Sequence, residues 1–198
     1  MLTPDSPPGW YGKLPVLGDF AQRRLPQDFV EAWDAWLAKG LGDWQAADDA
    51  WLERYLSGPS WRFVLTPNVI GPQAWAGVLM PSCDRVGRYF PLCIAQLLQL
   101  PVSDTGAQSL LDWLLRLDDL AVDALHEDWA VEQLEAELAR TSLQAGERAG
   151  ALAEQVLQLA PGQTLWICHG VQGEPIVRRH QGLPPVVALF EPGESQSL

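Results

Sequence analysis

Two apolar runs, Trp75–Met80 and Leu92–Ala95, stand either side of the stretch Pro81–Pro91, which reads Pro-Ser-Cys-Asp-Arg-Val-Gly-Arg-Tyr-Phe-Pro. Short apolar runs bounded by turn formers read as β-strands, and strands joined by a short link pair antiparallel. The second run continues almost without polar interruption to Leu100, the pattern of a strand covered on both faces. A chain of this kind must therefore fold around a buried sheet. It must also carry two arginines, an aspartate, a serine and a glycine on a connection at one end of that sheet. Connections held by rigid strands are where recognition groups concentrate.

The rest of the chain supplies layers for that sheet. Trp10–Pro15 suits a short strand, and Val16–Phe20 a turn toward a helix. Pro26 fits the first turn of the helix, and Phe29, Trp33, Trp36 and Leu37 recur on one helical face. Gly40 and Gly42 are expected to end it. A second helix is expected near 44–56, with Trp44, Ala47, Trp51 and Tyr55 on one face and Ser57-Gly58-Pro59 as its stop. Trp61–Thr66 alternates as a strand. A long helix follows Pro101–Asp104, with Leu110, Trp113, Leu114, Leu117 and Leu125 on its buried stripe, and another spans about 130–140 through Val131, Leu134 and Leu138. Residues 141–160 are weakly helical, Thr164–His169 reads as a late strand, 170–184 as a loop, and 185–191 as a short terminal element. The expected architecture is α+β: a mostly antiparallel central sheet covered by helices.

One domain over residues 1–198 is the expectation at this length, with the Pro-rich residues 1–8 loose. Ten tryptophans place much of the burial in large aromatics. The formal net charge is -12, which argues against nucleic acid and anionic membrane surfaces as partners. Three cysteines, Cys83, Cys93 and Cys168, are odd in number and lack CxxC spacing, so neither a disulfide framework nor a zinc site is expected. The first residues lack the pattern of a signal peptide, and no apolar run reaches the length of a membrane span. A cytoplasmic protein is the expectation.

Enzymatic signatures are thin. No GxSxG, GxxxxGK[ST] or GxGxxG is present. The histidines are His126, His169 and His180. Cys168 and His169 adjoin on a strand, where neighbours point to opposite faces. Asp48-Asp49 and Asp118-Asp119 diverge on helices and cannot share one ion. No catalytic residue, metal or cofactor is expected. Two clusters remain: Gly12–Phe20 with Arg23-Arg24, and Ser82–Pro91. In the second, Arg85 and Arg88 beside Ser82 and Gly87 suit recognition of carboxylate or phosphate. Equally, Asp84 could pair with Arg85 or Arg88 and simply close a hairpin.

These residues resemble a known family. Gly9–Pro15, Gly18-Asp19-Phe20 and Arg24-Leu25-Pro26 look like the opening motif of TagF (ImpM), a type VI secretion-associated family. Trp33–Leu37, Trp61–Phe63, Trp75–Ser82 and Asp84–Pro91 resemble its following blocks, and Leu165-Trp166 and Gly182–Pro184 its weaker C-terminal marks. The resemblance is dense over about 9–100. It departs at Val16-Leu17, where the family often has a polar, basic pair, and at Cys83, where an aliphatic residue is usual.

The resemblance implies a three-layer αβα sandwich, somewhat like longin-type domains. It implies a non-enzymatic cytosolic repressor of type VI secretion, linked to a forkhead-associated scaffold protein and a threonine-phosphorylation circuit. Some relatives carry a phosphatase domain in addition, which has no counterpart in this sequence. Under that reading the partner-binding candidates are Trp10, Lys13, Asp19, Phe20, Arg23, Arg24, Ser82, Asp84, Arg85, Arg88 and Tyr89, with Trp10 and Phe20 as apolar anchors. Two other readings compete: a small phospho-group hydrolase using Asp84 or Asp19 with the arginines, and a structural adaptor whose signature loops only lock the fold.

Overall fold

The computed structural model describes residues 6–99, 102–141, 150–170 and 173–190. Its centre is a seven-stranded sheet in which every pairing is antiparallel. The strands are β1 (Gly9–Gly12), β2 (Ala21–Arg23), β3 (Trp61–Leu65), β4 (Ala74–Met80), β5 (Leu92–Leu98), β6 (Gln163–His169) and β7 (Pro175–Gln181). Their spatial order is β2-β1-β5-β4-β3-β6-β7, open at both edges. β4 is central, and all of its residues are buried. Its approach to β5 is close enough that a Cβ on Gly77 would lie 2.1 Å from the Ile94 carbonyl oxygen, so glycine is required there.

Alternation along the strands splits the core in two. Val64, Ala76, Val78 and Ile94 face one side. There α3 (Asp104–His126), α4 (Val131–Arg140) and α5 (Ala151–Leu157) cover the sheet with Leu110, Trp113, Leu114, Leu117, Leu134 and Leu138. Trp61, Phe63, Leu65, Trp75 and Leu79 face the other side. That side is covered by α1 (Gln27–Ala47), α2 (Trp51–Leu56) and α6 (Val186–Phe190). Its core is aromatic: Trp33 packs at 5.1 Å from Phe63 and 5.4 Å from Phe29, and Phe63 at 5.3 Å from Trp166. The result is a three-layer αβα sandwich. Ser103 caps α3 by accepting from the Gly106 N–H at 3.1 Å, the side-chain partner that helix starts select.

Four expectations are corrected. α1 does not end at Gly40 and Gly42 but runs to Ala47. At Gly40 a Cβ would lie 2.2 Å from the Val186 side chain, so this glycine serves the close approach of α6 to α1. The second helix is accordingly only Trp51–Leu56, because Trp44 and Ala47 belong to α1. Residues 175–181, read as loop, form β7. Its arginines hide the alternation: Arg178 lays its guanidinium 5.0 Å from the Trp61 ring, and Arg179 reaches the Gln155 side chain at 2.8 Å, so charge covers apolar surface. Within the Pro-rich start, Ser6–Pro8 is held in place: Pro8 is buried, and Arg24 donates to its carbonyl at 2.9 Å. Residues 1–5 of that stretch, and 142–149 of the weakly helical one, lie outside the described residues.

Candidate functional site

Residues 81–91 join β4 to β5, and residues 13–20 join β1 to β2. Because Tyr11 pairs with Cys93 and Met80 with Leu92, both connections leave the same end of the sheet. The first closes on itself around Asp84. The Gly87 N–H donates to the Asp84 carbonyl, and the Asp84 N–H to the Arg88 carbonyl, each at 3.0 Å. Gly87 has φ +78°, a left-handed conformation glycine adopts without steric cost. The Asp84 carboxylate then accepts the N–H groups of Val86 (3.1 Å) and Arg88 (2.9 Å) and the Arg88 Nε (2.7 Å). An aspartate that bonds its own downstream backbone is a local turn former.

The second connection is fastened onto this turn. Lys13 Nζ donates to Asp84 Oδ2 at 2.6 Å, and both side chains of this ion pair are buried. Ser82 Oγ donates to the Lys13 carbonyl at 2.7 Å, and the Arg85 N–H to the Leu17 carbonyl at 2.8 Å. Arg88 Nη2 donates to the Gly18 carbonyl and lies 3.7 Å from the Asp19 carboxylate. Burial alone would raise the Asp84 carboxyl. The bonds from Lys13, Arg88 and Val86 outweigh it and hold the group well below the usual carboxylate range. From α2, the Tyr55 hydroxyl donates to the Ser82 carbonyl at 2.9 Å and accepts the Ser82 N–H at 2.8 Å. Burial pushes this phenol well above its ordinary range. Gly12 has φ +135°, and a Cβ on it would sit 2.1 Å from the Pro91 carbonyl oxygen. Only glycine allows the two connections to meet.

Of the candidate residues, Lys13, Ser82 and Asp84 are therefore buried fasteners rather than surface groups, and Arg88, although half-exposed, is bonded inward. Asp84 could pair with Arg85 or with Arg88; Arg88 is the partner. What faces outward is a small rim. Val86 is 65% exposed and Phe20 44% exposed. The Phe20 ring is fixed edge-on to Phe90 at 4.8 Å and stacked on Tyr11 at 5.9 Å. Asp19 is exposed and accepts the Phe20 N–H at 2.8 Å. Exposed Arg85 sits beside Gly18, and its guanidinium makes no hydrogen bond or ion pair among the described residues. Tyr89 is half-buried, edge-on to Tyr55 at 6.2 Å, and bridges Cys83 across the hairpin. Val16 and Leu17, where the resembled family often has a polar pair, pack against the α3-side core.

Trp10 is not the surface anchor expected: it is fully buried. Its Nε1 donates to Glu135 Oε1 of α4 at 2.6 Å. Arg24, held at φ +60°, grips the same carboxylate at 2.5 and 3.1 Å, and Arg23 lies 5.8 Å from the Trp10 ring. Burial raises the Glu135 carboxyl, but the bonds from Arg24 and Trp10 bring it below its ordinary range. Trp10, Arg23 and Arg24 thus form a separate clasp between β1, β2 and α4. Glu135 and Tyr55 are the hydrogen-bond partners of candidate residues that the sequence did not reveal. Each is one polar residue on an amphipathic helix, with its partner distant in the chain. Cys168 is buried on the α1 side and its neighbour His169 is exposed. Burial pushes that thiol up to about 11, so the adjacent pair is not arranged for nucleophilic work.

No helix among the described residues is long and apolar enough to cross a membrane. A search of curated proteins finds no match. Among solved structures, the crystal structure of PA0076 from Pseudomonas aeruginosa PAO1 at 2.05 Å resolution is similar, with 35% identity and a TM-score of 0.77. The similarity covers 96% of this chain and 97% of that one. The family model for the TagF N-terminal domain, type VI secretion system-associated, matches residues 9–141, which include both connections and the α4 clasp. The chain belongs to this TagF N-terminal-domain family of type VI secretion.

Proposed function

We propose that this chain is a non-enzymatic, cytoplasmic regulator that represses type VI secretion by masking a partner surface. The partner is the forkhead-associated scaffold or a neighbouring assembly component. The masking edge is the rim of Arg85, Val86, Phe20 and Asp19. One observation carries this reading: an exposed arginine whose guanidinium has no ion pair among the described residues and two exposed apolar side chains stand on a corner that buried bonds make rigid. Arginine and aromatic residues dominate interface hot spots, and a pre-ordered surface loses little entropy on binding. Lys13, Ser82, Asp84 and Arg88 act behind the rim by positioning it.

The test is calorimetric titration of the purified scaffold with wild type and with an Arg85→Glu/Val86→Asp variant whose folding is verified by circular dichroism. Loss of binding and of repression in the folded variant supports masking. Intact binding and repression reject it. The structural-adaptor reading draws support from the inward-facing signature residues, and it makes a different prediction: loss of repression would track loss of thermal stability across the corner variants.

A further inference from the structure

Away from the corner, a cavity of about 240 Å³ opens between α3, the start of α5 and the sheet. Its apolar wall is Leu111, Leu115, Leu152 and Ile167, and Arg62 of β3 stands at one side. Arg62 is only 5% exposed. Its guanidinium makes no hydrogen bond among the described residues, and its Nε is buried without a partner. The nearest acid, Asp118 of α3, lies 3.9 Å from that Nε and instead accepts the Ser60 hydroxyl. Gln108, which also lines the cavity, is occupied elsewhere: its Nε2 donates to Asp112 at 2.8 Å and its Oε1 accepts the Gly150 N–H at 3.1 Å. Buried polar groups in folded proteins are nearly always bonded, and a buried guanidinium without hydrogen bonds is costly. Asp118 offsets its charge but leaves the buried Nε without a hydrogen bond among the described residues.

We propose that this cavity binds a small amphiphilic monoanion, an unbranched short-chain carboxylate. The head group would lie on the Arg62 fork and the chain along the leucines and Ile167. A planar guanidinium has five donors and accommodates a carboxylate on one edge while facing Asp118 on another. The apolar wall selects against small hydrophilic anions, and the buried cation selects against uncharged lipids. This site is independent of the masking rim.

The test uses octanoate below its micellar concentration, titrated by calorimetry and by NMR into the full chain, with octanol as the uncharged control. Wild type binds octanoate saturably at one site and binds octanol at least about tenfold more weakly, the loss expected when a charge-assisted bond is absent. Arg62→Met keeps the volume, removes the cation and weakens octanoate by a similar factor. Leu115→Trp, on a part-exposed position of α3, fills the cavity and abolishes binding without touching Arg62. The proposal is overturned if wild type binds no octanoate, if octanol binds as well, or if both variants retain wild-type affinity.

Discussion

Among the described residues two buried ion pairs, one on the connections and one on the sheet, are completed differently. At the corner, Asp84 is met by Lys13, by Arg88 and by two backbone N–H groups. On β3, Arg62 faces Asp118 at 3.9 Å and makes no side-chain hydrogen bond among the described residues. The contrast follows from what surrounds each charge. Asp84 sits in a tight turn whose backbone donors converge on it. Arg62 projects from the middle of a strand, where the backbone donors are already engaged in the ladder. A saturated pair acts as a fastener: removing Asp84 leaves Lys13 buried and unpaired, and removing Lys13 leaves the buried carboxylate with only the half-exposed Arg88 as cation. An unsaturated pair adds little to stability and keeps donors for something else. The same division recurs within the signature, where Arg88 is bonded inward and Arg85, three residues earlier, is not.

The largest expected effect is at the fastener. Lys13→Met leaves the corner carboxylate without its buried cation and should cost on the order of 3 kcal/mol. At this chain length that lowers Tm by roughly 6–12 °C, read by thermal unfolding. Tyr55→Phe removes a hydroxyl that serves both Ser82 backbone groups, and should cost about 2 kcal/mol in chemical denaturation. Arg62→Met should change stability by less than about 1 kcal/mol, and a gain is consistent with replacing an unsaturated buried cation by an apolar isostere. A loss as large as that of Lys13→Met would erase the distinction between the two sites. Arg85→Glu should be the mildest, within about 0.5 kcal/mol, while removing partner binding.

Acid sharpens the same comparison. The folded Asp84 carboxyl titrates below its unfolded value. Its contribution is therefore present above about pH 4 and is lost as pH falls below that toward the folded pKa. Asp118 is the opposite case: burial raises its carboxyl, and the Ser60 bond and Arg62 offset this only in part. Its penalty is absent below the unfolded pKa and grows as pH rises from there through the folded one. A carboxyl-carbon NMR titration should find Asp84 titrating below the ordinary aspartate range and Asp118 above it. Coincident titrations near the ordinary aspartate value would contradict the assignment of fastener and unsaturated pair.

Much of this was legible in the sequence, for reasons that can be traced. Apolar runs marked β4 and β5, alternation marked β3, and helical stripes marked α3 and α4, because burial on two faces or one leaves its trace in the residues. β7 was illegible because Arg178 and Arg179 use their stems as packing surface and break the alternation. Gly40 misled because a glycine needed for helix contact looks the same as one that ends a helix. At the site, the sequence marked the corner but not the division of labour inside it. Arg85 and Arg88 are chemically identical, and only the left-handed Gly87 and the fold of the turn decide which one meets Asp84. Trp10 was misjudged because its partner, Glu135, lies 125 residues away.

We propose a signature corner with an inner lock and an outer recognition rim. Its most direct test is calorimetry of the forkhead-associated scaffold with wild type and with Arg85→Glu/Val86→Asp, each shown by thermal unfolding to be folded. Saturable binding by wild type and none by the variant, at nearly unchanged Tm, is the expected result. Binding of equal affinity by both proteins would contradict it.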